Sequence, residues 1–182
     1  MRPVPGLTDC DRLAANPPDP DRIAPGVERE DVDLPKAIAA CRAAVTEYPD
    51  VARLAYQLGR CLFYSGQSEE ALRSFEQAAA QGYRQAHFII GLIVTRRYAG
   101  VAFDAARIER HWRAAAELGH FNAQISYVRA ALRGVFDALP DRADDAEMKS
   151  FLADARDKAG YLGGLLVDDL TAELAARSRD AT

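Results

Sequence analysis

At 182 residues, with 49% hydrophobic and 27% charged side chains, the chain can build one substantial core and has the composition of neither a disordered segment nor a membrane protein. Its apolar runs, such as 88–94, fall far short of the roughly 20 residues a membrane-spanning helix needs. A formal net charge of -4 argues against a general binder of nucleic acid or anionic membrane, although an average can hide a local basic patch.

The N-terminal segment 1–32 reads as an irregular arm. Pro3, Pro5, Pro17, Pro18, Pro20 and Pro25 forbid a long helix, leaving at most a turn or two from Thr8 to Asn16. Its start, Met1 to Gly6, carries no apolar core of the kind a signal peptide has, which fits a cytoplasmic protein or a mature form without its leader. Helical patterning then begins. Asp33 is placed to cap a helix that tolerates Pro35 in its first turn and stops at Pro49. The next pair is predicted at about Val51–Tyr64, ending at Gly66, and from a Ser68 cap to Gly82. Further pairs are expected at Arg84–Tyr98 with Asp104–Leu118, and at Phe121–Phe136 with Asp144–Lys158. A last helix, Leu162 to Ala176, closes the series within a C-terminal segment 160–182. No strand pattern is present.

The helices repeat. Cys41, Phe75 and Trp112 occupy equivalent places, with Ala44, Ala78 and Ala115 three residues after each. The first interval matches a known period of about 34 residues. Ala55, Leu58, Gly59, Leu62, Ala71, Phe75 and Ala78 resemble the packing residues of tetratricopeptide repeats. Trp112 to Ala123, with Gly100 and Asp104 before it, resembles the longer Sel-one-like repeat. The resemblance covers about 33–159 and implies an all-α fold: a right-handed α-solenoid of stacked helix-turn-helix repeats, capped by the last helix. Ile108, Val128 and the last pair depart from the pattern, and the first unit lacks its opening helix.

Chemistry is sparsely signalled. His87, His111 and His120 lack metal-ligand spacing, and no nucleophile elbow, phosphate loop or paired carboxylates appear, so neither a catalytic residue nor a metal or other cofactor is expected. Cys61 reads as a small buried apolar group. Cys10 lies in the arm, and Cys41 stands where the repeats carry an aromatic residue. A disulfide between them would explain both, adding roughly 3 to 4 kcal/mol by loop entropy, while two reduced thiols are the alternative. The phrases around Cys10 and Cys41 resemble exported bacterial Sel-one-like proteins, which tips the expected location toward the periplasm or exterior.

Charge carries the clearest functional signal. The three opening helices contain Arg53, Arg60, Arg84, Arg96, Arg97, Arg129 and Arg133 and no acid, within a chain of 23 basic and 27 acidic residues. In the repeat family the opening helices line a concave groove. Carried over, the groove would present Arg53, Tyr56, Arg60 and Tyr64, then Gln85, Phe88 and Arg96, then Asn122, Arg129 and Arg133. Guanidinium groups bind carboxylates bidentately. The expectation is therefore a non-catalytic adaptor whose partner is a protein or peptide with an acidic segment or free C-terminus. The rivals are a cell-envelope hydrolase and a self-associating structural module.

Overall fold

The computed structural model describes residues 5–180, with only the backbone of Asp180. Residues 1–4, 181 and 182, at the ends of the arm and of the C-terminal segment, lie outside the described residues. The regular structure among those described is helical, with no strand. They fall into two compact units, Met1–Ile90 and Gly91–Thr182.

In the first unit the arm contributes a short helix, α1 (Asp9–Ala14), followed by α2 (Leu34–Glu47), α3 (Ala52–Tyr64) and α4 (Ser68–Ala80). Thr8 starts α1 with a reciprocal cap, its hydroxyl accepting from the Asp11 amide while the Asp11 carboxylate accepts from the Thr8 amide. Asp33 caps α2 as expected, accepting from the Lys36 amide at 3.3 Å. Ser68 is no cap. It is the first residue of α4, and Gln67 occupies the cap without a side-chain bond. Gly66 and Gly82 turn the chain at φ +82° and +77° after α3 and α4, a conformation that costs other residues about 1 kcal/mol or more.

Helix α5 (Arg84–Arg96) is shorter than the predicted Arg84–Tyr98, because Arg97 leaves it with φ 53°. The second unit continues with α6 (Ala105–Glu117), α7 (Phe121–Leu132), α8 (Asp145–Lys158) and α9 (Tyr161–Asp180). Asp104, His120 and Asp144 cap α6, α7 and α8 through side-chain acceptors. Helix α7 stops four residues before the expected Phe136. Gly134 takes φ +76°, its amide and that of Val135 return to the carbonyls of Ala131 and Ala130, and Phe136 folds back against Tyr127 with ring centroids 5.0 Å apart. The last helix is longer than predicted.

Successive helices pack on one another within each unit: α2 on α3 and α3 on α4, then α6 on α7, α7 on α8 and α8 on α9. The contacts follow the small-against-large pattern of the sequence. Gly59 and Phe75 are each the eighth residue of their helices, as are Gly91 and Trp112. A Cβ on Gly59 would stand 2.7 Å from the Phe75 ring, and one on Gly91 would stand 2.3 Å from the Trp112 ring. Neither ring can yield without disturbing a close-packed neighbour. Gly59→Leu will therefore destabilise the first unit by about 1 to 3 kcal/mol or more. A thermal melt checks this, and an unchanged midpoint would contradict the close α3–α4 contact.

Candidate binding surface

In the first unit the arginines of α3 already have a ligand, which is the arm itself. Cys10 and Cys41 form a disulfide, both side chains fully buried, so the bridge fills the place that Phe75 and Trp112 fill in the other repeats. It pins α1 across α2 and α3. Asp11, wholly buried, receives Arg53 Nε at 3.0 Å and Gln57 Nε2 at 3.1 Å. A second Arg53 nitrogen, Nη2, donates to the Gly6 carbonyl at 3.1 Å.

Arg60 reads backbone instead of acid. Its Nη1 donates to the carbonyls of Ala14 and Ala15 at 3.1 and 3.0 Å, and its Nη2 to that of Val27 at 2.6 Å. Tyr64 accepts from Arg60 Nε and lies under the guanidinium groups of Arg29 and Arg60, 4.9 and 5.1 Å from its ring centroid. Asn16 donates to the Tyr56 hydroxyl at 2.7 Å, and Gln85 is bonded to the same hydroxyl. Farther along the arm, Asp19 accepts from the Tyr83 hydroxyl at 2.8 Å, and Asp21 holds Arg84 bidentately at 2.6 and 2.7 Å.

Five predicted groove residues are thus not free to line an open groove. Arg53, Tyr56, Arg60 and Gln85 are at most 9% exposed, and Tyr64 is partly covered. The expectation that Arg53 and Arg60 face an open groove is corrected. A guanidinium buried by the arm loses its water and needs the carboxylate and carbonyls it finds there. The signal for this was present, since the arm carries Asp9, Asp11, Asp19 and Asp21.

The electrostatics of the arm are mixed. Burial works to raise the Asp11 carboxyl, but hydrogen bonds from Arg53 and Thr8 outweigh it and hold the group below the ordinary value of 3.8. Burial pushes Asp19 the other way, above that value. A carboxyl with a lowered folded pKa contributes stability that is complete above the unfolded value and lost as pH falls through the folded one. For Asp19 the sign is reversed, since protonation favours its folded environment. Protection of arm amides from hydrogen exchange will hold on acidification to about pH 4 and fall below it, as Asp11 is protonated. Loss beginning above about pH 5 would contradict the Asp11–Arg53 contact.

The second unit differs. Arg96 on α5 and Arg129 and Arg133 on α7 meet around a pocket of about 270 Å³. Leu92, Phe103, Ile108, Trp112, Ala130 and Val135 form its apolar walls, with the hydroxyl-bearing Thr95 and Ser126 beside them. Arg96 and Arg133 are exposed and Arg129 half-buried. None of the three forms an ion pair with a described carboxylate, whereas Arg53, Arg84 and Arg113 each have one. Arg96 donates to the Tyr98 hydroxyl at a long 3.4 Å. The neighbouring Arg97 guanidinium lies 5.8 Å from the centroid of the Phe103 ring. Asn122 is exposed on α7 and Phe88 half-buried on α5, and neither lines this pocket.

The pocket walls escaped the sequence reading because Phe103 lies in a loop, and Ile108 and Trp112 read only as core residues. The remaining candidates are placed as follows. His111 is buried, His87 half-buried, and His120 spends Nδ1 on accepting from the Ala123 amide. Among the described residues no three His, Cys, Asp or Glu side chains converge as a metal site would require. Cys61 is a buried free thiol pushed up to about 11 by desolvation, a poor nucleophile at neutral pH. No helix among the described residues is long and apolar enough to cross a membrane. No protein-family model and no curated protein matches the chain.

Proposed function

We propose that this protein is a non-catalytic interaction module that binds an acidic segment of a partner protein on the arginine face of its second unit. The carrying observation is the contrast between the two sets of arginines. Arg53 is paired with Asp11 of the arm, while Arg96, Arg129 and Arg133 gather at a pocket with no described carboxylate to neutralise them. Like charges are seldom concentrated beside apolar walls without an opposite charge to meet. The repeat of glycine against aromatic ring at matching helix positions supports placing the chain with tetratricopeptide and Sel-one-like proteins, as a right-handed α-solenoid. The buried disulfide supports an exported location, where such bonds persist.

The double change Arg129→Glu with Arg133→Glu tests the reading. Arg133 is exposed and Arg129 half-buried, so the melting midpoint will move little. Binding of a blocked oligoglutamate peptide, followed by fluorescence anisotropy, will weaken by roughly 2 to 5 kcal/mol if both contacts are desolvated, and will fall with added salt in the unaltered protein. Equal affinity before and after the change would remove the arginine face from the account.

One observation favours self-association as a second reading. Tyr161, Leu162 and Leu165 at the start of α9 are 82%, 78% and 48% exposed, and the spacing puts Tyr161 and Leu165 on one side of the helix. Sedimentation equilibrium separates the two readings, since a monomer at high concentration leaves the acidic-partner reading alone.

A further inference from the structure

The arm in the first unit is a peptide held by this protein's own arginines, and it shows what they recognise. Arg60 and Arg129 each follow the eighth residue of their helices, Gly59 in α3 and Val128 in α7. Arg60 donates to consecutive carbonyls, Ala14 and Ala15, at the end of a helical turn, while the carboxylate of the same segment goes to Arg53. Arg129 has the same place on its helix and lines the pocket. Beside it, Arg96 and Arg133 stand at the pocket rim, and the cavity of about 270 Å³ between them is walled by Leu92, Ile108, Trp112 and Val135. That volume suits one large aliphatic or aromatic side chain.

Resting on the arginine reading above, we propose that the pocket takes one bulky apolar side chain from an internal, acidic stretch of the partner, with Arg129 donating to its backbone carbonyls and Arg96 and Arg133 to flanking carboxylates. The charge of the rim selects acids, and the apolar walls select the residue between them. A purely acidic run would satisfy the rim and leave the walls in water. A neutral apolar peptide would fill the pocket and leave three guanidinium groups without counter-charge. No free C-terminus is required, because Arg60 binds its segment through internal carbonyls.

The test uses the full chain and three short peptides blocked at both ends: a central leucine among glutamates, a central serine among glutamates, and a central leucine among glutamines. The acidic leucine peptide will bind about tenfold or more tighter than the acidic serine peptide, the scale set by burying one large apolar side chain, and tighter than the leucine–glutamine peptide, which lacks the carboxylates. Thr95→Trp, made at an exposed position on the pocket wall, will lower its affinity to that of the acidic serine peptide and leave the serine peptide unaffected. Should that variant lose its helical circular dichroism, Ser126→Phe fills the same pocket from α7. Equal binding of both acidic peptides, indifferent to the filled pocket, would overturn this inference while the acidic-partner reading stands. Failure of both acidic peptides to bind the unaltered chain would bring down the two together.

Discussion

Asp11→Ala will loosen the arm, which stays tied at Cys10, and cost the first unit about 3 to 5 kcal/mol, the range seen when one partner of a buried ion pair is removed. The cause is less the lost attraction than what remains behind. Arg53 is only 9% exposed, and without Asp11 its Nε and the Gln57 amide lose an acceptor that water cannot readily replace. The reciprocal half of the α1 cap, in which the carboxylate accepts from the Thr8 amide, is lost as well, while the Thr8 hydroxyl keeps its bond from the residue 11 amide. Urea titration followed by circular dichroism gives the loss of stability. Asp11→Asn, which keeps the shape and one acceptor oxygen, will lose less. If Asp11→Ala is as stable as the unaltered protein, the arm does not sit on α3 as described.

Removing the disulfide by changing Cys10 and Cys41 to alanine will cost about 3 to 4 kcal/mol, because the bridge closes a loop over a sequence separation of 31 residues. The two positions are buried, so alanine also leaves space where two sulfur atoms stood. The effect will be local: hydrogen exchange will rise in residues 8–31 and in α2, while α6 to α9 keep their protection. Uniform loss across both units would contradict their separate packing. As the arm loosens, Arg53 and Arg60 become accessible, so that an acidic peptide finds a second place to bind.

Much of this architecture is legible in the sequence, for reasons that can be named. Helix ends are local chemistry: Asp33 caps where its short polar side chain suggests, and Asp104 and Asp144, expected as the first residues of their helices, are their caps. Gly59 announces a close contact because nothing larger fits against Phe75, and the structure shows Gly91 meeting Trp112 in the same way. The end of α7 was misread because Val135 and Phe136 continue the apolar pattern, while Gly134 at φ +76° turns the chain.

The candidate surface divides in the same way. Periodicity assigned Arg53, Arg60, Arg96, Arg129 and Arg133 to the opening helices, which is a statement about helix faces. It could not say which face a distant segment covers. The pairing of Asp11 with Arg53 spans 42 residues, and only the acids of the arm and the oddly placed Cys41 hinted at it. The walls of the pocket in the second unit depend on a loop residue, Phe103, and on Val135 after α7, whose positions no helical period specifies.

The most direct measurement is arginine modification with phenylglyoxal, read by peptide mass mapping with and without a blocked acidic peptide. In the free protein Arg96, Arg129 and Arg133 will react while Arg53 and Arg60 are spared, and the acidic peptide will protect Arg96, Arg129 and Arg133 together. Reaction at Arg53 and Arg60 in the folded, oxidised protein, or a bound acidic peptide that leaves Arg96, Arg129 and Arg133 as reactive as before, would contradict the division of labour between the two sets of arginines.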